Sequence, residues 1–205
     1  MKKLYFALIA LLSVVLYSCT NEEVNPGCGF LTLNVSQVSS TLNVTRAVPE
    51  GYDAKQLAVE IVDGNGKVVL STDDHTQWMN KELSLMAGTY TINAHSAYWD
   101  GNDSGRDVPY YAGSTEVTIK AADRTDANIV CTLANVKVTV AFDATVEKIF
   151  TSAQVEVKSK VSGIASQLFT MGDAVSLMPA YYPVGSLEAV LTVVNKAGST
   201  YTMST

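Results

Sequence analysis

The residue best placed to do chemistry is Cys19, which stands where an apolar run gives way to polar residues. Lys2 and Lys3 make a basic start, and Leu4 to Leu16 is apolar apart from Ser13. The run closes on Leu16-Tyr17-Ser18-Cys19, an apolar residue, a small residue before the cut, and a cysteine. That pattern is a lipobox. Diacylglycerol is transferred to the sulfur, and the amine that cleavage exposes can then be acylated. The apolar run is too short to cross a bilayer comfortably but fits the core of a signal peptide. The competing reading is an ordinary signal peptide followed by an incidental cysteine. With more than one acyl chain, anchoring to a membrane becomes stable, so the membrane is the first expected partner. Residues 1–18 are therefore read as a cleaved lipoprotein signal peptide. Residues 19–27, polar and containing Pro26, are read as a tether.

The remaining reactive side chains do not gather into a catalytic motif. The two histidines, His75 and His95, lie in a polar Asp73-Asp74-His75 stretch and at a strand end. Neither has a local nucleophile or acid at triad spacing, and the cysteines are too far apart in sequence for a clustered zinc site. Asp100-Gly101-Asn102-Asp103-Ser104-Gly105 loosely resembles a calcium loop, but Tyr111 occupies the position of the closing acid. A Gly- and Asp-rich surface turn accounts for it better. Gly64 and Gly66 sit in a hairpin, so no phosphate-cradling loop is expected. The reading is a non-enzyme without metal or cofactor. Tyr98, Trp99, Tyr110 and Tyr111 surround the Asp100 loop and either offer an aromatic contact surface or cap a sandwich. Cys28 and Cys131 remain once Cys19 carries lipid. They either form a disulfide, contributing about 4–5 kcal/mol in the chain-entropy account, or stay as separate thiols.

The formal net charge is −6, and removing residues 1–18, with two lysines and no acid, takes it to −8. An acidic surface without a basic stretch disfavours nucleic acid and anionic membrane as partners.

What must position these groups is almost entirely strand. Leu31, Leu33 and Val35 alternate with Thr32 and Asn34, the period of a half-buried strand. Residues 58–62 and 67–70 flank Asp63-Gly64-Asn65-Gly66, which is hairpin chemistry. Further strands are expected over 83–86, 89–95, 114–120, 128–133, 136–142, 154–158, 175–178 and 187–194, with a short run after Gly198. One or two helical turns fit 145–152. Val59-Glu60-Ile61, then Ser84-Leu85-Met86, then Tyr90 is echoed by Val155-Glu156-Val157, Ser176-Leu177-Met178 and Tyr182. The echo predicts two related β-sandwich units, residues 28–134 and 135–205, the second of them short: either the chain lacks a final strand or the sequence is truncated. A single larger sandwich is the rival.

The lipobox, Cys28-Gly29-Phe30-Leu31-Thr32-Leu33 and Thr45-Arg46-Ala47 together resemble lipoproteins of domain-of-unknown-function family 4493. So do Leu85-Met86-Ala87-Gly88-Thr89-Tyr90-Thr91-Ile92-Asn93-Ala94-His95-Ser96, Pro109-Tyr110-Tyr111-Ala112-Gly113-Ser114 and Leu133-Ala134-Asn135-Val136-Lys137-Val138. That family looks akin to the fimbrillin-like pilins and adhesion proteins of the Bacteroidetes. The resemblance implies an all-β fold of tandem Greek-key sandwiches, lipid-anchored in the outer membrane and exposed at the cell surface. The acidic pair Glu22-Glu23 resembles the surface-export signal of such lipoproteins. It also implies proteolytic processing after Arg46, release of the strand at Phe30–Val35, and strand exchange with itself or with other pilus or surface proteins. The alternatives are an Arg46 that is only a loop arginine, and a surface lipoprotein that binds carbohydrate or protein without polymerising.

Overall fold

The computed structural model describes residues 27–37 and 56–205. Cys19, Glu22, Glu23 and Arg46 lie outside the described residues.

The chain runs β1 (Cys28–Gln37), β2 (Leu57–Asp63), β3 (Val68–Thr72), β4 (Glu82–Met86), β5 (Gly88–Ser96), β6 (Gly105–Arg106), β7 (Tyr111–Ile119), β8 (Arg124–Leu133) and β9 (Val136–Val138). It continues through the short helix α1 (Ala144–Ile149) to β10 (Phe150–Ser159), β11 (Gln167–Thr170), β12 (Ala180–Tyr182), β13 (Leu187–Asn195) and β14 (Thr200–Ser204). The molecule is all-β, its sheets arranged as sandwiches.

Period-two alternation builds the first core. In β1, Leu31, Leu33 and Val35 are buried while Asn34 and Ser36 are exposed. They meet Val59 and Ile61 of β2, Ile92 of β5, Ile119 of β7 and Ile129 of β8 in one cluster. The strands run in the order β3-β2-β5-β7-β8-β1-β4, and the sheet folds over on itself where β7 joins β8. Tyr111↔Leu133 and Ala112↔Thr132 are the ladder pairs between those two strands, so the sheet can close into two facing layers. Gly113 allows that corner: a Cβ there would sit 2.5 Å from the carbonyl oxygen of Val130. Strand β1 lies between β4, antiparallel, and β8, parallel. The β2–β3 hairpin forms where the Asp-Gly-Asn-Gly sequence predicts it. Gly66 takes φ +80, and Asp63 Oδ1 accepts from the amides of Asn65 and Lys67, both at 2.9 Å.

The C-terminal strands repeat this wiring. β2 pairs with β3 and β5, as β10 pairs with β11 and β13. β4 returns to β1 as β12 returns to β9, and β7 adds to β5 as β14 adds to β13. The result is a four-stranded sheet, β11-β10-β13-β14, facing a three-stranded one, β6-β12-β9, across Val157, Phe169, Ala180 and Tyr182. Strand β6 comes from within residues 28–134 yet belongs to this C-terminal sheet. A cut in sequence between 134 and 135 therefore does not separate the two sets of strands.

Three expectations change. The strand over 136–142 stops at Val138, because its partner β12 offers three residues. Residues 175–178 form turns, not a strand; Ser176 Oγ accepts from the Thr170 amide at 2.8 Å and holds the turn closed. The strand that returns to β9 is β12, four residues further on, so the Ser-Leu-Met echo has the right topology in the wrong register. Strands β6 and β11 carry no sequence signal that was recognised.

Candidate interaction site at the seam between the sandwiches

The loop linking β5 to β7 carries most of the polar and aromatic groups singled out by sequence. Its tip is local. Asp100 Oδ1 accepts from the amide of Asn102 at 2.9 Å, and Oδ2 accepts from the Asn102 side chain at 2.8 Å. These bonds, the backbone one first, hold the Asp100 carboxyl below the usual range. Both oxygens are thus committed to an Asx turn, not arranged around a cation. Among the described residues no group of three or more His, Cys, Asp or Glu could hold a metal ion.

The aromatic residues separate. Tyr98 is 59% exposed, at φ +67, and its hydroxyl lies 3.4 Å from Gln56 Nε2. Trp99 and Tyr110 are half-buried, the latter with its ring 6.2 Å from that of His95. Tyr111 is a core residue, 1% exposed, and its amide donates to Ser96 Oγ at 2.9 Å. Of the two alternatives for these four residues, the contact surface fails at Tyr111. Strand alternation at the start of β7 turns Tyr111 inward beside Ile92 and Cys131, so it cannot present itself to a ligand.

The paired cysteines are corrected as well. Cys131 is a free thiol, 0% exposed, with its Sγ 3.5 Å from the carbonyl oxygen of Ala94. Although β1 and β8 are neighbours, their parallel register sets Gln37 opposite Cys131, placing Cys28 at the far end of the ladder. At that end the Cys28 Sγ lies 3.5 Å from Met86 Sδ. Burial pushes the Cys131 thiol up to about 11.

The back of the same loop does what the sequence did not disclose. Arg106 donates to the carbonyl oxygens of Met178, at 2.8 Å, and of Leu168. Its guanidinium lies 4.1 Å over the ring of Phe169. The Asp107 amide donates to the Pro179 carbonyl at 2.9 Å, and Gly105 and Arg106 pair with Tyr181 and Ala180. Ser104 Oγ donates to the Ala165 carbonyl and accepts from Gln167 Nε2 at 3.0 Å, while Asp103 accepts from the Ala165 amide at 3.2 Å. Asn135 closes the other side, accepting from the Tyr110 amide at 3.1 Å and donating to the Val108 carbonyl at 3.3 Å. Tyr181 and Tyr182 are fully buried beneath. Burial, first of all, pushes both hydroxyls up, Tyr182 to about 12, and the charge of Asp107 adds to the effect at Tyr181. The arrangement joins the two sets of strands through backbone pairing and side-chain bonds.

Comparison with known families places the chain at this point. Residues 27–205 match the family model described as "Domain of unknown function (DUF4493)". The chain belongs to that family. No curated protein matches it. Three solved structures resemble it over much of their length. Two are described as "a putative adhesin" from Bacteroides ovatus. The first is 9% identical, with a TM-score of 0.40, covering 93% of this chain and 87% of the other. The second is 8% identical, with a TM-score of 0.43, covering 91% and 80%. The third, "a putative cell adhesion protein" from Bacteroides eggerthii, is 9% identical, with a TM-score of 0.41, covering 89% and 80%. At this level of likeness neither ligand nor activity transfers from them.

Proposed function

We propose that this member of the family is a lipid-anchored protein of the outer cell surface, serving as a fimbrillin-like pilus subunit, pilus anchor or adhesion module. The observation that carries the reading is the repeated strand wiring, β1–β5 with β7 and then β9–β14, placed directly behind a lipobox at Cys19. Tandem Greek-key sandwiches with a lipid at one end form an arm that holds its far end away from a membrane. The resemblance to fimbrillin-like proteins adds processing at Arg46, and the acidic pair Glu22-Glu23 adds export to the surface. A non-polymerising lipoprotein that binds carbohydrate or protein is the second reading. It is favoured by the exposure of Tyr98 at the loop tip.

The test is made on whole cells. Palmitate should label the chain, and Cys19→Ala should abolish both label and membrane association. Protease added to intact cells should cut the anchored protein, and replacing Glu22 and Glu23 by alanine should protect it without loss of label. Equal label in wild type and Cys19→Ala would end the lipoprotein reading. Equal protease accessibility would remove the acidic pair from it.

A further inference from the structure

Away from the seam, polar side chains of the first sandwich gather on one outer face. In β2, Leu57, Val59 and Ile61 join the core, so Ala58 and Glu60 point away from it. The register carries that face across three strands. Ala58 lies opposite His95, and His95 opposite Ala112. In the next row Glu60 lies opposite Asn93, and Asn93 opposite Ser114. Two tyrosines adjoin the end of the face at which β2 begins. Tyr110 precedes β7, with its ring 6.2 Å from that of His95. Tyr98 follows β5, and its hydroxyl lies 3.4 Å from Nε2 of Gln56, the residue before β2.

The bonds within this face leave particular groups open. Ser114 Oγ donates to Asn93 Oδ1 at 2.8 Å, so Asn93 keeps its Nδ2 hydrogens for another partner. His95 Nδ1 lies 3.0 Å from the Ser96 carbonyl oxygen, which draws the ring proton to Nδ1 and leaves Nε2 to accept. Gln56 Nε2 also donates to the Asp73 carbonyl at 3.2 Å, so its Oε1 is left as an acceptor. Gln56, Glu60, Asn93 and His95 are half-buried, held by their neighbours yet open to solvent. Tyr98 differs from all of them. A bulky side chain at φ +67 is strained, and such strain persists where the surrounding structure imposes it, often at a ligand site. Here it accompanies a ring that is 59% exposed directly after Ala97, which is 3% exposed.

The chemistry of the set narrows the ligand. Acceptors dominate, one carboxylate is present in the two rows, and neither lysine nor arginine belongs to them. Hydroxyl groups can donate to these acceptors and accept from Asn93, whereas an anion would meet Glu60 with no cation beside it. A protein partner would want an apolar centre, and the rows offer two alanines. A tyrosine ring supplies the flat apolar surface that the C–H face of a pyranose needs.

We infer that the outer face of β2, β5 and β7, with Tyr98 at its edge, is a binding site for a neutral saccharide. One sugar ring stacks on Tyr98, and hydroxyls bond Gln56, His95, Glu60 and Asn93. Alternate residues of a strand are roughly 7 Å apart, so successive units of an oligosaccharide reach successive rows. The inference rests on the carbohydrate-binding alternative given above and supplies its site and ligand class.

Affinity electrophoresis of the purified full chain tests it, with mannan, dextran, galactan or xylan cast in the gel. At least one of these neutral polymers should retard the chain, and acidic polygalacturonate should not. Tyr98→Ala should weaken that binding at least about tenfold, while Tyr98→Phe, which keeps the ring, should stay within about threefold. Glu60→Ala with Asn93→Ala should weaken it at least about tenfold as well. Tyr201→Ala, at an exposed tyrosine of the other sandwich, should change nothing. Unfolding temperatures near that of the wild type separate lost binding from lost fold. No retardation by any of the four neutral polymers overturns the inference and the carbohydrate alternative together. Retardation that survives Tyr98→Ala or the double variant overturns the site alone, as does stronger retardation by polygalacturonate. Lipid anchoring is read on cells, so neither result bears on it.

Discussion

The first sandwich and the second share their wiring, but among the described residues only the first has a strand in the position of β8. Leu31, Leu33 and Val35 of β1 are 0%, 4% and 6% exposed, while Val136, Val138 and Val140, in the corresponding place, are only half-buried. Both segments alternate equally well. What separates them is β8, which gives β1 a second ladder and covers its inner face. Strand length here is set by the neighbour as much as by the residues of the strand itself.

That difference can be broken or sharpened by substitution. The largest contrast should come from equivalent truncations. Ile129→Ala empties a fully buried site in β8 and should cost about 2–5 kcal/mol. Val138→Ala removes two half-buried methyl groups and should cost about 1 kcal/mol. Urea unfolding followed by hydrogen exchange in each sandwich measures both. Comparable costs would mean that the second sandwich is as tightly covered as the first.

The next effect concerns the seam. Arg106→Ala removes two bonds to carbonyl oxygens and the contact with Phe169, and should cost about 1–3 kcal/mol. More telling than the size is the shape of the transition. If the clasp couples the sandwiches, the wild type should unfold in one step by all probes, and the variant should split into two. A single unchanged transition in Arg106→Ala would show that the coupling lies elsewhere.

The smallest effect is at Cys131. Its folded thiol ionises near 11 against an ordinary value of 9, so burial favours the neutral form. The stability it contributes is fully present below pH 9 and is lost as pH climbs from 9 toward 11, since only the unfolded chain can ionise readily there. The wild type should lose thermal stability over that interval more steeply than Cys131→Ala. Alkylation at neutral pH should modify Cys131 at least about tenfold more slowly in the folded than in the unfolded protein. Fast labelling of the native thiol would show that β8 opens.

The fold class was readable because period-two alternation speaks residue by residue: β1, β2, β5 and β13 lie where Leu33, Val59, Ile92 and Leu191 place them. The Asp63–Gly66 hairpin was readable because its turn chemistry is local. The rest depends on partners distant in sequence. Nothing around Gly105-Arg106 marks a strand, since its ladder is formed with Ala180 and Tyr181. Val175-Ser176-Leu177-Met178 is apolar enough for a strand but carries the serine that closes a turn. The candidate site was legible only in part. The loop was found through its aromatic residues, yet Arg106, Ser104 and Asp103 on its inner side make the seam. Cys28 and Cys131 looked pairable because neighbouring strands could juxtapose them, but a parallel register sends the two ends apart.

The parallel ladder between β1 and β8 also bears on how the protein would carry load. A pull that enters at Cys28 and leaves through Leu133 toward the second sandwich acts on the start of one strand and the end of its parallel neighbour. The eight pairs from Phe30 to Gln37 are then stressed together, lengthwise, instead of being peeled one after another from an end. Forced unfolding is governed by the rate of crossing its barrier, and a ladder loaded in shear must give way all at once. The first sandwich is thereby wired as a mechanical clamp along the line from Cys28 to Leu133.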